Sequence, residues 1–114
     1  MSGLLPTHVL ISAGIAQGRA AGAFLYVRQK GDADRGTLLL KLNDMAGNHS
    51  LWRQIWDGEK RRFDRMAAQQ GGDNELETLI AQEAGFDRDL WIIEIEDRQG
   101  RLFFDTILQQ NAAI

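Results

Sequence analysis

The chain has 114 residues, a formal net charge of −3, 12 glycines, one proline and no cysteine. This length suffices for one hydrophobic core, so we expect residues 1–114 to form a single domain. Without cysteine there is no disulfide framework, no thiolate nucleophile and no Cys-ligated metal site. Residues 1–66 contain 10 basic and 6 acidic side chains, whereas residues 67–114 contain 3 and 10. The two regions therefore either pack together and neutralise each other or present a charged surface to a partner.

The N-terminal third carries no pattern typical of export or membrane insertion. The segment Met1–Pro6 lacks the basic stretch of a secretion signal. Val9–Val27 is rich in apolar residues, but Gln17 and Arg19 interrupt it, and a central arginine is unfavourable in a bilayer. We therefore expect a cytoplasmic protein that makes no contact with a membrane.

The first predicted helix covers Ser12–Ala21, with Ser12 as the N-cap and Gly22 as the left-handed residue past the end. Gly14, Gly18 and Gly22 recur every four residues and line one narrow stripe. Since interior glycines weaken a helix, we expect this stripe to allow close packing inside the monomer or, alternatively, at a subunit contact. Thr7–Ile11 is compatible with a short strand before the helix.

Two segments rich in apolar residues, Ala23–Lys30 and Thr37–Asn43, flank a polar loop with glycine at both ends and predict a β-hairpin. A symmetric loop pairs Leu25 with Leu42 and Val27 with Leu40, which places the aliphatic side chains on one face. The opposite face would carry the following residues: Phe24, Tyr26, Arg28, Lys30 and Lys41.

A second hairpin is predicted around Asp57-Gly58, between Leu51–Trp56 and Arg61–Met66. The register of this turn places Trp56 opposite Arg61, Trp52 opposite Arg65, and Arg53 opposite Asp64. We expect the tryptophans to stack on the arginines and Arg53 to form an ion pair with Asp64.

The last third predicts a helix, a strand and a third hairpin. The helix covers Asn74–Ala84, with an Asn74/Glu77 capping box and Gly85 as its left-handed stop, against which Phe86 packs. The best strand is Leu90–Glu96, whose residues Trp91, Ile93 and Ile95 share one side. A turn at Asp97–Gly100 then leads into Arg101–Thr106 as a further strand. Together these elements predict an α+β domain: a largely antiparallel sheet of five to seven strands with two helices packed on one face.

Parts of the sequence resemble a known family. The segments that carry the resemblance are Phe86–Trp91, Glu94–Arg98 with Gly100-Arg101, the Gly31–Gly36 loop with Lys41–Asn43, and the Ser12-Ala13 helix running to Gly22. They are similar to the DUF1491 family of small bacterial proteins of unknown function. The resemblance implies a small cytoplasmic α+β domain without an assigned activity, and it carries over no catalytic residue.

Acidic side chains near the last predicted strand are one candidate for chemistry. Glu94 and Glu96 share a face of that strand, while Asp87 precedes it and Asp105 follows the last turn. Carboxylates on one face can bind a hard cation, so a metal-assisted hydrolase using Asp87, Glu94, Glu96 and Asp105 is an alternative hypothesis. In the simpler interpretation these side chains face solvent or meet Arg28, Lys30 and Lys41 across the sheet.

Other sites of chemistry have little support. The two histidines, His8 and His49, belong to no metal-ligand motif, and no serine or threonine lies in a nucleophile-elbow context. The Gly14–Gly18 spacing lacks the Lys-Ser/Thr ending of a phosphate-binding loop. The sequence therefore favours a protein without a cofactor and, though this stays open, without catalytic activity.

The main functional indication is a mixed aromatic and basic face of the central hairpin, formed by Trp52, Trp56, Arg61, Phe63 and Arg65. We expect a non-catalytic binding module that uses this face for a protein partner or for self-association, including a homodimer. Aromatic platforms flanked by cations also suit an anionic ligand or single-stranded RNA. Nucleic acid is the weaker alternative, because the sequence pI is about 5.3 and no RNA-binding motif is present. The same tryptophans could instead cover the core, with arginine stems lying over them.

Overall fold

The structure is a computed structural model, and it describes residues 5–112. In this part of the chain the elements are, in order, α1 (Thr7–Ala20), β1 (Phe24–Gln29), β2 (Leu38–Asn43), β3 (Asn48–Trp56), β4 (Arg61–Gln70), α2 (Asn74–Phe86), β5 (Trp91–Glu96) and α3 (Phe104–Ala112). The predicted single domain also includes residues 1–4 and 113–114, which lie outside the described residues.

The five strands form one sheet in the order β1-β5-β2-β3-β4. The pairs β1–β5, β2–β3 and β3–β4 are antiparallel, whereas β2 and β5 run parallel. The predicted α+β class with a largely antiparallel sheet is therefore confirmed, and β1 and β4 are its edge strands.

Both faces of the sheet carry buried apolar side chains, and helices cover each face. On one face, α1 and α3 pack on alternate residues of the central strands, with Leu40, Ile93 and Phe104 fully buried. On the other face, Leu76 and Ile80 of α2 pack on Leu39, Leu51 and Ile92. The expectation that the helices share one face is wrong, because β2 and β5 also carry buried apolar side chains, Leu39 and Ile92, on the second face, and one layer of helices could cover only one face.

Helix α1 begins at Thr7. The segment Thr7–Ile11, predicted as a strand, therefore forms the start of this helix, and Ser12 lies inside it and is not the N-cap. The glycine stripe does allow close packing inside the monomer. A Cβ atom on Gly14 would lie 2.2 Å from Cε1 of Phe104, and one on Gly18 would lie 2.3 Å from Cδ1 of Leu25. These two glycines therefore let α1 approach both α3 and the sheet, while Gly22 ends the helix with a φ of 89°.

The predicted hairpin between β1 and β2 does not exist, because β5 lies between these two strands and pairs with both. The loop between them contacts the segment that leads into β5. The carbonyl oxygen of Asp89 accepts a hydrogen bond from the backbone N–H of Asp32, and Cβ atoms on Gly31 and Gly36 would lie within 2.4 Å of that oxygen. The two glycines thus permit close packing on this segment. The prediction that the aliphatic side chains of these two strands share one face is correct, since Leu25, Leu40 and Leu42 belong to one core.

The central hairpin is confirmed, including its register. Trp56 lies opposite Arg61, Trp52 opposite Arg65 and Arg53 opposite Asp64. A bulge follows, because the register shifts by one residue between Leu51 and Trp52. The Arg53–Asp64 ion pair is not formed. Arg53 instead bonds to Glu83 of α2, and Asp64 bonds to Arg62.

Helix α2 is two residues longer than predicted and differs at both ends. Asn74 lies inside the helix and accepts a hydrogen bond from Gln69, so there is no Asn74/Glu77 capping box. Gly85 is helical and does not stop the chain, and Phe86 is 87% exposed instead of packing back.

The strand Trp91–Glu96 is confirmed with its apolar side as predicted. The turn that follows exists, since the N–H of Gly100 donates to the carbonyl of Asp97. The predicted strand Arg101–Thr106 is wrong, because the chain enters α3 at Phe104 after Phe103 adopts a φ of 69°.

Among the residues described, no helix is both long enough and apolar enough to cross a membrane. The predicted lack of a secretion signal at Met1–Pro6 rests mostly on residues outside the described ones.

Candidate functional site

The five residues of the predicted aromatic and basic face lie on one side of the β3–β4 hairpin, but their burial differs. Trp52 and Phe63 are partly buried and pack against the core under α1 and α3. The indole N–H of Trp52 donates to Oγ of Ser50 over 2.8 Å. Both rings therefore have a structural role in this core, whereas Arg65 is exposed.

The tip of the hairpin forms one wall of a groove of about 680 Å³. Trp56, which is 58% exposed, and Arg61 lie opposite each other at this tip. The other wall comes from the start of α1 and from the loop before β2. The residues that line the groove are Leu5, Pro6, Asp34, Arg35, Gly36, Thr37, Gln54, Ile55, Trp56 and Arg61.

The guanidinium of Arg61 has no ion pair or hydrogen bond within residues 5–112, and its Nη2 atom is shielded from solvent. Burial lowers the pKa of Arg61 because no carboxylate offsets the loss of hydration. A half-buried cation without an acceptor is costly for a folded protein, so most such groups are paired. Arg61 is therefore a partly buried polar group of the groove whose bonding capacity the described part of the chain leaves unused.

The opposite wall is held firmly by backbone and side-chain contacts. The hydroxyl of Thr7 donates to the carbonyl of Gly36 over 2.9 Å, and the N–H groups of Thr7 and His8 donate to the carbonyls of Asp34 and Ala33. The first backbone donors of α1 are thus used by the loop and are not available to a ligand. This loop also carries Arg35, whose guanidinium makes no ion pair among the described residues.

Other basic residues of the sheet are engaged by α2. The ammonium group of Lys41, 8% exposed, donates to Asp73 over 2.6 Å and to Glu77 over 2.7 Å. Arg28 donates to Glu77 over 2.8 Å and to Glu94 over 3.4 Å. The hydrogen bond from Arg28, together with Lys41, lowers the pKa of Glu77 from 4.5 to about 2. The basic and acidic regions of the sequence therefore meet within one molecule at this face.

The four carboxylates of the hydrolase hypothesis are not brought together. Glu94 and Glu96 lie on the face that α2 covers, and Glu94 accepts a bond from Arg28. Asp105 begins α3 on the opposite face, where its carboxylate accepts the N–H of Thr106. Asp87 caps the turn before β5 by accepting the N–H of Asp89. Within the described part of the chain, no group of three or more His, Asp or Glu side chains could hold a metal ion.

The two histidines are also separated from each other. Nδ1 of His8 lies 3.0 Å from the carbonyl of Ala33, next to the loop that borders the groove. His49 lies on β3, opposite Asn43 and Gln69, far along the strand from Trp56.

Sequence reasoning missed the second wall of the groove. Leu5, Pro6 and Arg35 come from segments that no local pattern connects with the central hairpin. The one available signal was the pair of glycines at 31 and 36, which indicated a close approach but not its partner.

The fold is a small α+β domain with a five-stranded sheet covered by helices on both faces. The chain belongs to the DUF1491 family, described as a protein of unknown function, whose model matches residues 5–105. The resemblance seen in the sequence is therefore confirmed. No curated protein matches the chain.

Solved structures, two of which are described as DUF1491 family proteins, are similar to this chain. A DUF1491 family protein from Caulobacter crescentus CB15, determined by crystallography, is 32% identical with a TM-score of 0.79, and the match covers 88% of this chain and 94% of that one. An NMR structure of a DUF1491 family protein from the same organism is 33% identical, with a TM-score of 0.78 and coverages of 88% and 92%. Protein Atu0922 from A. tumefaciens is 28% identical, with a TM-score of 0.71 and coverages of 81% and 85%.

Proposed function

We propose that the protein is a non-catalytic binding module for a protein partner and that the tip of the β3–β4 hairpin is its contact surface. One observation carries the proposal: exposed Trp56 lies opposite Arg61, a half-buried cation without an acceptor in the described chain. Tryptophan and arginine are the residues that most often dominate binding energy at protein interfaces. The predicted set Trp52, Trp56, Arg61, Phe63 and Arg65 is thereby divided into a supporting part and a contact part.

The supporting part is Trp52 and Phe63, which pack on the core and hold the hairpin in place. The contact part is Trp56, Arg61 and exposed Arg65. A substitution at Trp52 would therefore lower stability as well as binding, so Trp56 and Arg61 are the better positions for a test.

The test is capture of partners from an extract of the source organism by the tagged full chain, followed by reconstitution with each purified partner. The Trp56→Ala/Arg61→Ala variant should bind the reconstituted partner at least about tenfold more weakly, as expected at an interface centre. The matched control is Phe24→Ala/Lys30→Ala, which removes an exposed aromatic ring and a cation that makes no ion pair among the described residues, both near the other sheet edge. Equal partner binding by all three proteins, or no capture by the wild type, contradicts the proposal.

The proposed setting is the cytoplasm of a bacterium, and the organisms of the solved relatives, Caulobacter crescentus and A. tumefaciens, support its bacterial part. Fractionation of cells that express the tagged chain from its own gene tests the location. Recovery with the periplasmic or membrane fraction would contradict it.

A further inference from the structure

The groove at the hairpin tip has a chemical preference that follows from its lining. Arg61 presents donors that no group among residues 5–112 accepts, and a guanidinium forms its best bonds with a planar, two-oxygen anion. A carboxylate accepts two parallel N–H bonds from such a fork. The charge and geometry of Arg61 therefore select an acidic group.

The surroundings of Arg61 are mostly apolar on the hairpin side and on the side of α1. Trp56 supplies an exposed indole face, and Leu5, Pro6 and Ile55 line the same groove. Apolar walls suit a side chain next to the acidic group, and they strengthen the charge interaction by keeping water away. The groove thus matches an acidic residue that has an apolar neighbour.

The charge around the groove opposes a ligand with many negative charges. Arg35 stands on the rim, but Asp34 lines the same wall and the chain has a formal net charge of −3. A nucleic acid strand brings a phosphate with every nucleotide, and its binding needs a continuous row of cations. A ligand with only one or two carboxylates can bind Arg61 and Arg35, and it brings fewer negative charges near Asp34 than a nucleic acid does.

We infer that the groove lined by Trp56, Arg61 and Arg35 binds an acidic segment of the partner protein, with one carboxylate on Arg61 and an adjacent apolar side chain against Trp56. This inference rests on the proposed function and names the chemistry that the site recognises. It assigns Arg61 as the anchor of the carboxylate and Trp56 as the surface for its neighbour.

The test is a titration of the ¹⁵N-labelled full chain, observed through the indole N–H of Trp56 and the Nε–H of Arg61. The probes are the blocked peptide Ala-Leu-Glu-Ala, its counterpart with Gln in place of Glu, and a ten-nucleotide oligouridine. We expect the Glu peptide to shift both signals with a Kd of about 1 mM or weaker, as a single anchored residue allows. The Gln peptide should bind at least about tenfold more weakly, because bonds to a charged acceptor are the stronger ones.

Two variants make the assignment specific. Arg61→Gln should remove the difference between the Glu and Gln peptides, since the fork for the carboxylate is lost. Arg62→Gln is the matched control on the same hairpin, because Arg62 already bonds to Asp57 and Asp64 and should leave the Glu-peptide Kd within about twofold.

Three outcomes would overturn the inference: no shift at Trp56 and Arg61 up to about 10 mM Glu peptide, equal binding of the two peptides, or tighter binding of oligouridine. Shifts that appear on concentrating the protein alone would assign the groove to a second copy of this chain and would also overturn it. If partner binding still depends on Trp56 and Arg61 in the reconstituted complex, the proposed function stands although this inference fails.

Discussion

The basic residues under α2 and those at the hairpin tip belong to one sheet but differ in what surrounds them. Lys41 and Arg28 contact Glu77, Asp73 and Glu94, and they join α2 to the sheet. Arg61 at the tip is half-buried as well, yet it meets no carboxylate in the described chain. Positive charge in the first region supports the fold, whereas the charge of Arg61 meets no acceptor in the described chain and is the one that we propose a partner binds.

This difference shows that basic residues in one sequence can have two roles, either within the fold or at a surface. Where an acidic helix packs on a basic strand face, the charges neutralise each other and explain the composition. Where the chain buries a cation without an acceptor, stability gains nothing from the charge. Stability and binding should therefore respond oppositely to substitutions in the two regions.

The largest effect is expected at Lys41. Lys41→Met removes the cation between Asp73 and Glu77 and leaves two carboxylates facing each other under α2, at a cost of about 2–3 kcal/mol in the free energy of unfolding. Urea unfolding measures it. Lys60→Met is the control, because the Lys60 side chain is exposed and makes no ion pair among the described residues, and it should change stability by less than about 0.5 kcal/mol. Equal losses in the two variants would contradict the comparison.

The next effect concerns Glu77 and its pH dependence. Its pKa falls to about 2 in the folded state from an ordinary 4.5, so its stabilising contribution is present above about pH 4.5 and is lost as the pH falls toward 2. Because the side chain is 35% exposed, we expect Glu77→Gln to cost about 1–2 kcal/mol at pH 7, discounted for solvent screening. Urea unfolding from pH 7 to pH 2 should show the two proteins converging at the acid end. Glu75→Gln, whose side chain makes no ion pair among the described residues, is the control and should show a smaller difference at pH 7.

The third effect is smaller, and it compares Arg28 with Arg61. Substitutions at these two positions should change the free energy of unfolding in opposite directions. Arg28→Met loses bonds to Glu77 and Glu94 and should lower the free energy of unfolding by about 1 kcal/mol. Arg61→Met removes an unpaired cation and keeps an apolar stem, so stability should stay equal or rise by up to about 1 kcal/mol. Thermal and chemical unfolding of both variants measure this. A loss at Arg61 as large as that at Arg28 would show that Arg61 supports the fold.

The smallest effect is expected for the ion pair between Arg62 and Asp64. Both side chains are nearly half exposed, so Asp64→Asn should change stability by less than about 0.5 kcal/mol, and less still in 1 M salt. A larger change, measured by urea unfolding at low and high salt, would mean that exposed pairs also hold the hairpin.

The elements that the sequence predicted well depend on neighbours along the chain. The register of the central hairpin follows from the Asp57-Gly58 turn, so local turn chemistry alone predicts that Trp56 lies opposite Arg61. The strand at Leu90–Glu96 was equally clear, because Trp91, Ile93 and Ile95 recur at every second residue. Half of the groove was therefore predictable.

The elements that were mispredicted depend on distant contacts. The segments around Gly31 and Gly36 have every local feature of a hairpin, but Asp89 and β5 compete for the same backbone positions and displace the pairing of β1 with β2. The wall that carries Arg35 is placed by this contact, so no local pattern could reveal it. The same holds for α3, which forms where a strand pattern exists, because Phe104 packs against Gly14.

The position of β5 between β1 and β2 also determines the order in which the strands can pair during translation. While the ribosome has not yet passed Trp91, β2, β3 and β4 can pair as a meander, but β1 has no strand to join. Strand β1 must therefore wait for its pairing until residues up to 96 are translated, and pairings so distant in sequence slow folding. A nascent chain of this protein thus keeps β1 unpaired until β5 has been translated.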